Sequence, residues 1–152
     1  ARAPRLVRET LVQQRCGSAR FLARKQPGAT PSEGLEAVKA ELADLARPLD
    51  VLILGMGNDG HTASLFPDAP ELAHAMDPDC PEIVAATTPA SQPQKRITRT
   101  VPPLRDARFT ALHLKGEDQL DTLNQSSSDL QNDIEMPVRA FLTPTFQVFW
   151  IP

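Results

Sequence analysis

Asp59 and His61 stand two residues apart, at the end of an apolar run and among three closely spaced glycines, in the stretch VLILGMGNDGHTASLF (51–66). An imidazole titrates near neutrality and can take a proton from water. A carboxylate two residues earlier can hold the other ring nitrogen and fix the tautomer, which turns a histidine into a directed base. Successive backbone amides around Gly57 to Gly60 can form an anion-binding nest. A plainer reading has His61 capping a short helix while Asp59 satisfies turn amides. Spacing alone leaves the two readings level.

The glycines Gly55, Gly57 and Gly60 also spell the G-x-G-x-x-G of a dinucleotide site. That fingerprint works only when the third glycine opens a long helix and an acidic residue ends a second strand about 20 positions on. Here Gly60 leads into HTASLFPDAP, where Pro67 and Pro70 stop any helix within about two turns. Asp77 and Asp79 lie at a suitable distance, but MDPDCP is unsuited to a buried strand. No lysine follows the glycines as a P-loop requires. The expectation is therefore a loop that presents Asp59 and His61, without a nucleotide cofactor.

The elements needed to hold such a loop are legible along the chain. LDVLILG (49–55) is a short, almost wholly apolar run, the pattern of a strand buried on both faces. PEIVAATT (81–88), KRITRTV (95–101), ARFTALHLKG (107–116), VRAFL (138–142) and FQVFWI (146–151) also read as strands. Residues 4–14 place Leu6, Val7, Thr10 and Leu11 on one helical face. TPSE (30–33) is a capping box with proline at the first helical position, and Leu35, Val38, Leu42 and Leu45 form a stripe in the helix that follows, up to Pro48. A further helix fits near 117–133, with Leu120, Leu123 and Leu130 inward, although NQSSSD favours a loop in its far half. The chain opens at a helix and crowds its strands toward the C-terminal end. This is the expected look of one α/β domain over residues 1–152, forming the C-terminal portion of a larger domain.

Composition narrows the partners. With 152 residues, 41% hydrophobic and 23% charged, the chain suits a single domain with a real core. A net charge of −3 and the lack of a lysine run argue against nucleic acid, and no apolar run reaches the roughly 18 residues of a membrane span. Cys16 and Cys80 read as two free thiols of a cytoplasmic protein. His74 reads as part of a short exposed helix, and His113, in TALHL, as a satisfied core histidine. No two histidines stand at metal-ligand spacing, so no metal site is assigned. Phe149 and Trp150 read as core.

DVLILGMGNDGHTASLFPD (50–68) resembles the signature of the 6-phosphogluconolactonases, in the glucosamine-6-phosphate isomerase/6-phosphogluconolactonase superfamily. The resemblance extends through RLVRETL (5–11), PQKRITRTVPPL (93–104), LKGEDQLDTL (114–123), MPVRAFL (136–142) and the closing FWIP. It implies an open, mostly parallel, Rossmann-like α/β sheet with flanking helices, whose N-terminal strands are absent from these residues. It further implies hydrolysis of 6-phosphoglucono-1,5-lactone, with His61 as the base that activates water and Asp59 as its orienting partner. Arg96, together with the loop glycines Gly57 and Gly60, would bind the substrate, the arginine at its phosphate. The implied partner is that small phosphorylated lactone alone, with no cofactor or metal, in a monomer or homodimer. Two positions depart from the family's pattern, Gln119 and Ser91, where relatives carry lysines. A deaminase/isomerase of the glucosamine-6-phosphate type is the nearest alternative, but Thr62-Ala63-Ser64-Leu65 after the histidine favours the lactonase. A non-catalytic sugar-phosphate binding module is the other.

Overall fold

A computed structural model describes residues 2–13, 16–22 and 30–152. At the start, α1 (Arg2–Val7) widens into π-helical turns over Arg8–Val12, so the expected helix is present up to the described residue 13. Its apolar side chains find little cover: Leu6 and Leu11 are both more than half exposed. α2 (Pro31–Ala43) begins with the expected capping box, the Thr30 hydroxyl accepting from the Glu33 amide while the Glu33 carboxylate accepts from the Thr30 amide. Two of the four otherwise orphaned N–H groups at this helix start are thus satisfied by sequence-local bonds.

The main sheet has three parallel strands in the order β1 (Leu49–Leu54), β4 (Ala107–Lys115) and β5 (Gln147–Ile151). A separate antiparallel ribbon joins β2 (Val84–Thr87) to β3 (Arg96–Arg99). α2 packs its Val38 and Leu42 on this ribbon at Val84, with Leu35, Leu45 and Ile97 around them. The larger core lies on one face of the sheet, where Leu54, Leu112 and Leu114 meet Leu65, Leu72 and Leu104. These last come from the segment after β1, from α3 (Leu72–Met76) and from α4 (Val101–Arg105). α5 (Glu117–Ser126) adds Leu123 to the same core.

Four expectations are corrected. The β1 run is not buried on both faces: Val51 and Ile53 are 58% and 60% exposed. Their face of the sheet, which also carries Phe109, Phe149 and Ile151, is open among the described residues, whereas the opposite face holds the core. His113 and Phe149 occupy that open face and are exposed, so neither is a core residue; Trp150 is half-buried, with its indole N–H donating to the Gly116 carbonyl. Leu130 lies beyond the end of α5 and is exposed, as the polar NQSSSD stretch foreshadowed. Finally, VRAFL is not a strand but a 3-10 helix, Pro137–Phe141. Proline supplies its first position, and the Val138 amide donates to the Gly60 carbonyl at 2.9 Å instead of joining a ladder.

That bond ties the 3-10 helix to the glycine loop. The buried Arg139 guanidinium secures the segment before it, donating to the carbonyls of Ser126 and Asn132 and pairing with Glu135 at 3.0 Å. No helix among the described residues is long and apolar enough to cross a membrane.

Candidate functional site

The chain leaves the carboxyl end of β1 at Gly55 and folds back on itself by Thr62. The Gly57 amide donates to the His61 carbonyl at 3.0 Å, and the Gly60 amide to the Gly57 carbonyl at 3.0 Å. Thr62 is buried and its hydroxyl donates to the Gly55 carbonyl at 2.8 Å, closing the base of the loop. Gly60 has φ +76°, a left-handed conformation that suits glycine, and a Cβ there would also meet the Met136 side chain at 2.8 Å. Ala63 is left-handed as well, at φ 53°, which is uncommon for a residue with a Cβ and marks local strain just after the histidine. No helix follows Gly60 directly; the next one, α3, begins at Leu72. The dinucleotide geometry is therefore not built.

Inside the loop, His61 Nδ1 lies 2.6 Å from Asp59 Oδ1, and the same oxygen accepts from the His61 backbone amide at 3.1 Å. The imidazole stacks on Phe66, with ring centroids 4.1 Å apart. A Cβ at Gly57 would come within 2.3 Å of the ring. The histidine is thus packed on a buried aromatic ring and close to a bare glycine, and Asp59 holds its Nδ1. The amides of Gly57 and Gly60 are both used within the turn, so the anion nest expected of them is not formed by these two groups. Their part is conformational.

His61 faces a cavity of about 620 Å³ that runs from the end of β1 toward α2. Gly55, Met56 and Ala63 line it with the histidine, and Arg20 and Arg99 add two guanidinium groups. Arg96 is not part of this lining. It sits on the other face of β3, opposite Thr87 in the ribbon register, together with Thr98. The Thr87 hydroxyl donates to the Ser64 carbonyl and the Ser64 amide donates to the Thr98 hydroxyl, both at 3.2 Å. The face of the ribbon carrying Arg96 is therefore docked on the loop three residues beyond His61. The Arg96 Nε is buried with no hydrogen-bond partner among the described residues.

A family model described as glucosamine-6-phosphate isomerases/6-phosphogluconolactonase matches residues 1–150. The chain belongs to this family. It is 40% identical over 147 residues to a 6-phosphogluconolactonase of Pseudomonas aeruginosa, covering 97% of this chain and 61% of the relative. A 6-phosphogluconolactonase of Rhizobium meliloti is 35% identical, with 97% and 65% covered. The crystal structure of a 6-phosphogluconolactonase from Shewanella baltica superimposes with a TM-score of 0.88 at 38% identity, covering 96% of this chain and 63% of that one. The chain thus spans somewhat under two thirds of the length of these relatives.

Within this family fold, the contacts made by several residues were not foreseen from sequence. Gln119, one of the two departures from the family pattern, donates from its side-chain amide to the Met56 carbonyl at 2.7 Å and accepts from the Lys115 amide at 2.9 Å. A neutral amide can bridge two backbone groups in this way because it both donates and accepts, whereas a lysine only donates. Ser91, the other departure, donates its amide to Asp68, which holds that carboxyl below the usual range. Arg99 was passed over because nothing in a strand of alternating residues tells which face meets a cavity. Phe66 gave no signal beyond its apolar character.

Glu71, just before α3, is tied to Thr88, just past the end of β2. Burial works to raise its carboxyl, but hydrogen bonds from the Thr88 hydroxyl and amide outweigh it and leave the group below its ordinary value.

Proposed function

We propose that this chain carries the hydrolytic site of an enzyme that opens 6-phosphoglucono-1,5-lactone to 6-phosphogluconate. The observation that carries the reading is the 2.6 Å contact between His61 Nδ1 and Asp59. With Nδ1–H donating to the carboxylate, the lone pair falls on Nε2, which has no protein partner among the described residues. Nε2 can then take a proton from water as that water attacks the lactone carbonyl. The tetrahedral intermediate collapses with cleavage of the ring C–O bond, and the protonated imidazole returns its proton to the departing ring oxygen. Asp59 stabilises the imidazolium between these two transfers. The reaction needs no oxidant, reductant or covalent intermediate.

Arg96 is the proposed reader of the phosphate. Its support is the buried Nε lacking a partner, on the ribbon face docked against the histidine loop. A guanidinium fork suits phosphate oxygens, and an unsatisfied buried donor is costly unless a ligand completes it. Arg20 and Arg99, which line the cavity itself, add positive potential in the same region.

Activity is checked by following acid release from the phosphorylated lactone, with spontaneous hydrolysis subtracted, and by offering glucosamine-6-phosphate in parallel. Turnover of the amino sugar without lactone hydrolysis overturns the reading. For Arg96→Ala we expect KM for the phosphorylated lactone to rise about 10- to 150-fold, the loss of a charged hydrogen bond of about 1.5–3 kcal/mol, with kcat little changed. Arg96→Lys recovers part of this, and a lactone without phosphate is affected little by either change. A KM effect that falls on Arg99→Ala instead assigns the phosphate to the cavity arginine.

A further inference from the structure

Away from the histidine loop, His74, Cys80 and Glu82 bring an imidazole, a thiol and a carboxylate together at the junction of α3 and β2. His74 Nε2 lies 3.1 Å from Glu82 Oε2 and 3.6 Å from Cys80 Sγ, and the Cys80 sulfur lies 3.4 Å from the same carboxylate oxygen. A tetrahedral zinc ion with ordinary Zn–S, Zn–N and Zn–O bond lengths separates its ligands by about 3.6 Å for S···N, about 3.6 Å for S···O and about 3.4 Å for N···O. The three observed separations approach this triangle without a backbone shift.

The chain prepares the arrangement locally. Asp77 and Cys80 close successive turns, the Asp77 amide donating to the His74 carbonyl at 3.3 Å and the Cys80 amide to the Asp77 carbonyl at 3.1 Å. The Asp77 carboxylate further accepts from the Asp79 amide at 2.8 Å. All three ligand residues thus fall within nine positions of sequence, on a short loop whose shape is set by its own hydrogen bonds. Cys80 is buried, while the His74 and Glu82 side chains are 56% and 39% exposed, so an ion has a way in and a solvent-facing fourth position. Sequence spacing gave no hint of this, because only one histidine takes part and the other ligands are a cysteine and a glutamate.

We propose that His74, Cys80 and Glu82 form a binding site for a borderline-soft divalent cation of the zinc type, separate from the hydrolytic site. The mixed nitrogen, sulfur and oxygen donors suit zinc or cobalt, and the thiolate disfavours magnesium and calcium. Binding replaces the Cys80 thiol proton with the metal, releases that proton to solvent, and pins the end of α3 to the start of β2.

The test uses chelator-stripped protein carrying Cys16→Ser, so that Cys80 is its one thiol, and cobalt(II) as the probe. One equivalent is expected to bind with a thiolate-to-cobalt charge-transfer band, which zinc then abolishes by displacement. Cys80→Ser should eliminate the band, and His74→Ala, at an exposed position that spares the core, should weaken cobalt binding by at least about 10-fold. Zinc should raise the melting temperature of the parent and leave that of His74→Ala unmoved. The same titration in His61→Ala separates this site from the His61–Asp59 pair, and its band should be unchanged there. Absence of the band from the parent, its survival in Cys80→Ser, equal affinity in His74→Ala, or its loss in His61→Ala would overturn the assignment.

Discussion

His61→Ala is expected to lower turnover of the phosphorylated lactone by about 10²-fold or more, the ordinary cost of losing a general base. The fold should survive, because the side chain is 27% exposed and its main packing partner is the single ring of Phe66. Losing that stack costs about 0.5–1.5 kcal/mol, a shift of a few degrees in melting temperature. The loop itself is held by the bonds Gly57 to His61 carbonyl, Thr62 to Gly55 carbonyl and Val138 to Gly60 carbonyl, none of which involves the imidazole. Asp59→Asn tests the other half of the pair. An asparagine can offer its amide group to Nδ1 and draw the lone pair to the wrong nitrogen, so kcat should fall while KM moves little. Near-parental turnover in His61→Ala, after correction for spontaneous opening, would remove the histidine from the chemistry. A large loss in His61→Ala with none in Asp59→Asn would keep the base and discard its orienting partner.

The parts of this site legible in the sequence are those whose partners are close in the chain. Asp59 and His61 are two residues apart, so the contact between them follows from the turn alone. The capping box of α2 is local in the same sense, and so is the failure of the dinucleotide pattern, which Pro67 and Pro70 announce. The features that escaped notice depend on remote neighbours. Gln119 reaches the Met56 carbonyl from α5, 63 positions along the chain. Arg99 comes to the cavity from β3 on the face opposite Arg96, and alternation shows that two faces exist without showing what each one meets.

The misread strand has the same origin. VRAFL is short and apolar, a pattern that fits a strand or a single helical turn equally. What decides it is Pro137 at the start and the Gly60 carbonyl waiting for the Val138 amide, and only the second of these is tertiary. For β1 the apolar run is real, but burial on both faces needs a cover that the described residues do not provide over Val51 and Ile53.

Gly57→Ala should reproduce much of the His61 defect without touching the histidine. The added methyl would stand 2.3 Å from both Cε1 and Nδ1 of the ring and 2.8 Å from Asp59 Oδ1, far inside any tolerable contact. Phe66, stacked on the imidazole and itself only 4% exposed, limits how far the ring can shift in its direction. Rotation of the side chain out of the loop is the inexpensive response, and it breaks the 2.6 Å contact with Asp59. A displacement of about 1 Å at a reacting group can cost about 10²-fold in rate, so kcat is expected to fall on that scale with KM little altered. Because the backbone bonds of the turn remain available, the melting temperature should stay within a few degrees of the parent. Two neighbouring glycines calibrate the result. At Gly55 a methyl meets nothing within 4 Å, and Gly55→Ala should be close to parental in activity. At Gly60 the left-handed φ of +76° and the Met136 side chain oppose a methyl together, so Gly60→Ala should lower stability instead. Parental kcat in Gly57→Ala would mean that the loop opens without disturbing the base, and the bare position against the ring would then have no part in catalysis.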